Sequence, residues 1–196
     1  CLLLVTSRAQ FTLPGLAARN IDCLKPEKSR ELLLKLAPRI KGCEPDAAEL
    51  CGHLPLALEV FAGAVNDKKL YPVPELLDRL RARQEKLGRV DAAFQVSYEL
   101  LTVELRRCWR VLAVFSADFD LRAASAVWAD NPLTPSLSPT VVEGARRAGE
   151  GEAVPLDTAR DAMQALVNAS LVEWRQANGR YRLHDLVRQF CKEKLG

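Results

Sequence analysis

The sequence predicts a mainly α-helical chain: a small helical bundle followed by a winged-helix domain, preceded by one strand of a sheet expected upstream. Three observations lead there. Short apolar segments of helical period are separated by proline and glycine over residues 25–88. The alternating stretch Leu171-Val172-Glu173-Trp174 is linked through Asn178-Gly179 to Tyr181-Arg182-Leu183, a β-hairpin pattern. The chain also opens on Cys1-Leu2-Leu3-Leu4-Val5, a continuous apolar run of strand length.

That opening run ends at Thr6-Ser7-Arg8. It is far shorter than the roughly 20 residues of a membrane span, and no basic segment precedes it as in a signal peptide. It reads as a buried parallel strand whose neighbours lie upstream, so residues 1–24 are expected to close a preceding domain. Pro14-Gly15 marks a turn in the loop that follows. A net charge of +3 is too small to imply a nucleic-acid or membrane partner. Cys1, Cys23, Cys43, Cys51, Cys108 and Cys191 contain no C-x-x-C pair, and several fall on apolar helix faces. Reduced thiols and a cytoplasmic location are therefore expected, rather than a disulfide framework or a zinc site.

The helical domain is expected over residues 25–88. Pro26 suits a first helical position and Glu27 the positive helix N-terminus; Leu32, Leu33 and Leu36 give an apolar face, and Pro38 stops it. A second helix is expected after Pro45, with Ala47, Leu50 and Cys51 inward. Gly52-His53-Leu54-Pro55 interrupts it, because proline lacks an N–H and disfavours helical geometry at Leu54. A third helix then starts at Pro55, burying Leu58, Phe61 and Val65. Pro74 opens a fourth, with Leu76, Leu77, Leu80 and Leu87 inward and Gly88 closing it.

The winged helix is expected over residues 89–196. Leu105, Cys108, Trp109, Leu112 and Phe115 fit a 3.6-residue period, and Asp120 is placed to cap a short helix ending near Trp128. Residues 130–156 are rich in Pro, Gly, Ser and Thr and read as a flexible loop. Asp157 is then placed to cap a helix with Ala159, Met163, Leu166, Val167 and Ser170 on one face. The hairpin, turning in two residues at Asn178-Gly179, and a basic helix from Asp185 to Leu195 complete the order.

Three short motifs bear on chemistry. Arg8 follows a strand end, where α/β sheets bind ligands and where a guanidinium can grip a phosphate through two hydrogen bonds. Cys51-Gly52-His53-Leu54-Pro55 makes a tight break at which a flat ligand can approach the backbone. His184 in Leu183-His184-Asp185 lies at a strand-to-helix junction, with an imidazole able to donate to a phosphate and Asp185 placed to cap the helix. Each alone has an ordinary structural reading: a solvated arginine, a kink, a structural histidine. Gathered in this order, with Val96-Ser97-Tyr98-Glu99-Leu100 and Leu112-Ala113-Val114-Phe115 between them, they resemble the NB-ARC family of STAND-class, AAA+-related switch ATPases. The resemblance covers nearly the whole chain. Val5 to Arg8 looks like the sensor-1 motif, Gly52 to Pro55 like the G-x-P motif of the helical domain, and Leu183-His184-Asp185 like the MHD motif of the winged helix. Leu183 departs from methionine by a volume-conserving change.

The resemblance implies an ADP/ATP cofactor. Arg8 would sense the γ-phosphate, and Pro55, flanked by Gly52 and Leu54, would pack on the adenine and ribose. His184 would contact the β-phosphate of ADP and hold the winged helix closed, with Asp185 supporting that latch. It also implies an upstream nucleotide-binding domain carrying the Mg²⁺ site, a downstream tetratricopeptide or WD40 sensor, and self-oligomerisation on activation. The chain itself contains no G-x-x-x-x-G-K-[ST] loop and no apolar strand ending in paired acids, so no catalytic or metal-ligating residue is assigned and the segment is not expected to be an enzyme alone. The competing reading is a winged-helix DNA-binding module. Its recognition helix, about Asp157 to Ser170, balances Arg160 with Asp157 and Asp161, which suits phosphate attraction poorly, although Arg175, Arg180 and Arg182 on the hairpin favour it.

Overall fold

The computed structural model describes residues 21–129 and 154–195, so the expected opening strand with Arg8 and nearly all of the expected loop lie outside the described residues. The chain is mainly α-helical. Helix α1 (Pro26–Leu36) starts on its proline and ends one residue before Pro38 and a 3-10 turn at Pro38–Ile40. Helices α2 (Glu44–Leu50) and α3 (Pro55–Asp67) flank the break. Helix α3 is buried on nearly every side, from Ala57 to Val65, because α1 and α5 (Arg89–Leu100) both pack on it. Arg39 fastens its far end: the guanidinium donates to Val65 O at 2.7 Å, Lys68 O at 3.1 Å and Tyr71 O at 2.6 Å. Val65 is in the last turn of α3, where carbonyls lack helical partners, and Lys68 and Tyr71 lie in the turn that follows.

Helix α4 (Val73–Gln84) buries Leu76, Leu77 and Leu80 as expected, but it ends before Leu87 and Gly88. Leu87 N donates to Arg83 O in a closing turn, so its side chain is 39% exposed rather than inward. Gly88 is instead the residue preceding α5. Helix α5 has no counterpart among the expected elements. Its buried residues, Ala92, Ala93, Phe94, Val96 and Ser97, are nearly contiguous. It packs on α3 and α4 on one side and on α9 on the other, which obscures a single apolar stripe.

Helix α6 (Val103–Val111) is capped by Thr102 Oγ1, which accepts from Leu105 N at 3.3 Å, and runs into a 3-10 turn at Leu112–Val114. Asp120 caps α7 (Leu121–Ala129) as expected, accepting from Ala123 N at 2.8 Å. Helix α8 (Leu156–Asn168) begins earlier than expected, behind Pro155. Asp157 is therefore inside the first turn, paired with Arg160 at 2.9 Å, and is not the cap. Strands β1 (Glu173–Arg175) and β2 (Arg180–Arg182) pair antiparallel with Arg175 opposite Arg180. The connection thus spans residues 176–179 rather than two residues. Gly179, at φ +63°, donates to Arg175 O and supplies the left-handed step that returns the chain. Helix α9 (Asp185–Glu193) stops short of Leu195.

The order three helices, hairpin, helix over residues 103–193 is the one expected. An aromatic cluster joins it to α5: Phe94 lies 5.6 Å from Phe190, and Tyr98 lies 6.0 Å from Trp109 between ring centres. Trp109 Nε1 donates to Leu171 O at 3.2 Å, tying α6 to the start of the hairpin.

Candidate functional site at the helix break and the hairpin junction

The break between α2 and α3 is built by backbone geometry. Cys51 ends α2, and Gly52 and His53 both adopt left-handed conformations, at φ +63° and +56°. Gly52 N donates to Glu49 O at 2.9 Å and His53 N to Ala48 O at 3.0 Å, the two bonds of a Schellman closure. Leu54 is extended at φ −85°, ψ 121°, as a residue before proline should be. Pro55 then occupies the first turn of α3 with its ring exposed. A non-glycine residue at positive φ needs support from its surroundings. His53 has it, since its Nδ1 lies 3.0 Å from Ser29 Oγ and its carbonyl accepts from Leu24 N at 3.0 Å. The bond from Leu24 also ties the segment before α1 to the break.

His184 lies at the junction of β2 and α9. Here the structure corrects the expected cap: His184 itself is the N-cap, its Nδ1 accepting from Leu186 N at 3.2 Å. Asp185 is one residue inside the helix, exposed, and paired with Arg188 at 3.1 Å. Because Nδ1 acts as an acceptor, the other ring nitrogen, Nε2, carries the proton and is left to donate. Leu183 is buried beneath the junction, in an apolar role.

The two places are related through Glu59. It lies one turn after Pro55 on α3, so both project from one flank of that helix. Burial pushes the Glu59 carboxyl above the usual carboxylate range; the nearby charge of Glu173 on β1 adds to this, and that of His184 opposes it. Beside them, α3 meets the end of α8. A Cβ on Gly63 would lie 2.6 Å from the Ala169 carbonyl carbon and oxygen and 2.7 Å from Ser170 Oγ, so backbone touches backbone there. A cleft of ≈ 230 Å³ runs along this seam, lined by Glu59, Asn66, Asn168 and Ser170 among others.

Of the residues singled out from sequence, Gly52, Leu54 and Pro55 form the break, His184 and Asp185 form the junction, and Arg8 lies outside the described residues. Two neighbours went unrecognised. Glu59 was legible in principle, as the residue one turn beyond Pro55. Arg89 was not: its side chain lies across Gly52, where a Cβ would be 2.4 Å from Arg89 Cδ, a contact between residues far apart in sequence.

No family model matches the chain. It is 30% identical to the regulatory protein AfsR of Streptomyces griseus, over 98% of this chain and 19% of that protein. It is 24% identical to the disease resistance RPP8-like protein 3 of Arabidopsis thaliana, over 87% of this chain and 20% of that protein. A Mycobacterium bovis protein named as an HTH-type transcriptional regulator is 29% identical over 99% of this chain and 22% of its own length. The chain spans about a fifth of the length of these relatives. It is a distant relative of proteins named for regulation in bacteria and for disease resistance in plants.

Proposed function

We propose that this chain is the regulatory part of an ADP/ATP-dependent signalling switch of the NB-ARC type, with residues 89–195 as its winged-helix domain. The observation that carries the reading is His184, fixed at the N-terminus of α9 by the bond from Leu186 N to its Nδ1, which leaves Nε2 to donate outward. These residues fit a nucleotide. The exposed Pro55 ring is a flat apolar surface for a base or ribose, and Gly52 supplies the left-handed step that sets Pro55 at the start of α3. Leu54 adds apolar surface beside Pro55. His184 Nε2–H and the positive end of α9 suit a phosphate oxygen. Bound ADP would supply the negative charge that this donor recognises. Arg8 would meet the terminal phosphate of ATP, and Mg²⁺ would be held by an upstream domain rather than by these residues.

In this reading the closed arrangement is favoured while His184 donates, and its loss frees the winged-helix domain to rotate, with self-association and a downstream repeat sensor completing the switch. Only a difference in affinity between the two arrangements can shift such an equilibrium. One hydrogen bond to a charged group contributes about 1.5–3 kcal/mol, enough for a ten-fold change in population. In the full-length protein, His184→Ala should therefore lower the ADP that co-purifies and raise basal signalling. Unchanged ADP content and unchanged activity would remove the latch assignment.

Duplex binding is the second reading, and the name of the mycobacterial relative speaks for it. The surface speaks against it. Arg160 is paired with Asp157, Gln164 with Asn168, and Arg175 and Arg182 share Asp118 at 3.6 and 3.8 Å. Of the arginines on α8 and the hairpin, Arg180 alone has no carboxylate partner among the described residues, which leaves little unpaired positive charge on these elements for phosphates. Salt-dependent binding to a DNA duplex would reverse this judgement.

A further inference from the structure

We propose that Arg89 is a further nucleotide contact, a guanidinium platform on which the base stacks; this deepens the reading above and rests on it. Arg89 begins α5, yet its side chain folds back over the break between α2 and α3. A Cβ on Gly52 would lie 2.4 Å from its Cδ, 2.7 Å from one terminal nitrogen and 3.2 Å from Nε, so the aliphatic end and the guanidinium both rest on the bare α-carbon. Gly52 therefore serves two ends. It supplies the left-handed step that closes α2, and it leaves the space into which Arg89 lies down.

The guanidinium has no ion pair or hydrogen bond with any described residue, and it is exposed. Arginines on the adjoining helices are engaged: Arg79 and Arg83 of α4 with Glu75 and Glu99, and Arg106 of α6 with the Tyr98 carbonyl. An arginine held against backbone on one side, with no carboxylate to satisfy it, is poised for a ligand on the other. Its position narrows the ligand class. Pro55 follows Gly52 by one turn of chain and offers the apolar surface to which the base is assigned. Leu24, bonded to His53, marks where the upstream chain reaches the break. A flat, weakly hydrated cation beside an apolar ring selects a flat aromatic group, and a nucleotide base stacks on guanidinium through cation–π and dispersion attraction.

The test uses full-length protein freed of nucleotide, titrated calorimetrically with ADP, GDP and inorganic pyrophosphate. Arg89→Ala and Arg89→Lys are compared with wild type, with Pro55→Ala and His184→Ala as reference variants. Stacking requires the plane rather than the charge, so both Arg89 variants should weaken ADP binding by about ten-fold, the size of one lost cation–π contact. Pyrophosphate affinity should be unchanged and the ADP-to-GDP preference should shift. If Arg89→Lys binds ADP like wild type, or if pyrophosphate affinity falls with ADP affinity, the platform is overturned; in the second case the guanidinium grips phosphate. If the Arg89 variants are silent while Pro55→Ala and His184→Ala lose ADP, the nucleotide site stands without Arg89. If all four are silent, the nucleotide reading itself falls.

Discussion

At the scale of single residues, the break and the junction are held by side chains whose roles differ from their apparent ones. His53 looks like a candidate ligand in a short motif, yet its left-handed backbone and its contacts to Ser29 and Leu24 make it the pin that fastens α2 to α1. His184 looks like a candidate phosphate donor and is also a cap, which fixes the tautomer that makes donation possible. Gly52 shows how magnitudes decide. A Cβ there would meet the far end of a flexible arginine, which can move at little cost, but the left-handed φ of +63° remains. Gly52→Ala should therefore lower unfolding free energy by about 1–2 kcal/mol, the penalty of a side chain in that region. Urea denaturation reads it directly, and an unchanged midpoint would mean that the break does not require the left-handed step.

At the scale of elements, Gly63 presents the opposite balance. It is in the middle of α3, where alanine would ordinarily gain up to about 1 kcal/mol of helix propensity. The added Cβ would, however, lie 2.6 Å from backbone atoms of Ala169, which cannot swing aside. Overpacking of this kind costs about 1–3 kcal/mol, so the contact should win and Gly63→Ala should destabilise the protein. It should also loosen the end of α8. Amide hydrogen exchange at Ser170 and Leu171, whose N–H groups bond to Val167 and Leu166, should quicken more than exchange within α4. A more stable variant with undisturbed exchange would show that α3 and α8 do not meet backbone to backbone. Arg39 and Arg106 act at the same scale, donating to carbonyls in the last turns of α3 and α5, at Val65 and at Tyr98 and Glu99.

At the scale of the whole molecule, α5 is the shared wall. It packs against α3 and α4, while its Phe94 and Tyr98 join Trp109 and Phe190, so the buried cluster runs without interruption from Leu33 to Cys191. Three cysteines lie within it. Burial pushes the thiols of Cys51 and Cys108 up to about 12, and that of Cys191 higher still. The thiolate is the reactive form. Alkylation of the native protein at pH 8 should thus modify exposed Cys23 and spare these three until denaturant is added. The sign for stability follows from the same shifts. Each thiol ionises in the unfolded chain above its ordinary value of 9.0 but stays protonated in the fold, so the folded state loses stability as pH rises from there toward 12. Mass-spectrometric mapping of labelled peptides checks the order, and early labelling of Cys191 would show that α9 opens readily.

What the sequence determined is what backbone chemistry imposes locally. Pro26, Pro55 and Asp120 mark helix starts because a fixed φ or a side-chain acceptor suits a helix N-terminus wherever the chain runs next. The mainly helical fold, the break at Gly52 and the hairpin were legible for that reason. The exact ends were less so: Asp157 and Asp185 carry capping chemistry, but the caps are Pro155, two places earlier, and His184, one place earlier. Tertiary structure decided the rest. Helix α5 carries no clear stripe because it is covered from two sides, Leu87 turns outward because α4 ends before it, and Arg89 reaches Gly52 only through packing. Such contacts depend on how close two elements come, a distance fixed by many side chains together and written in no local pattern.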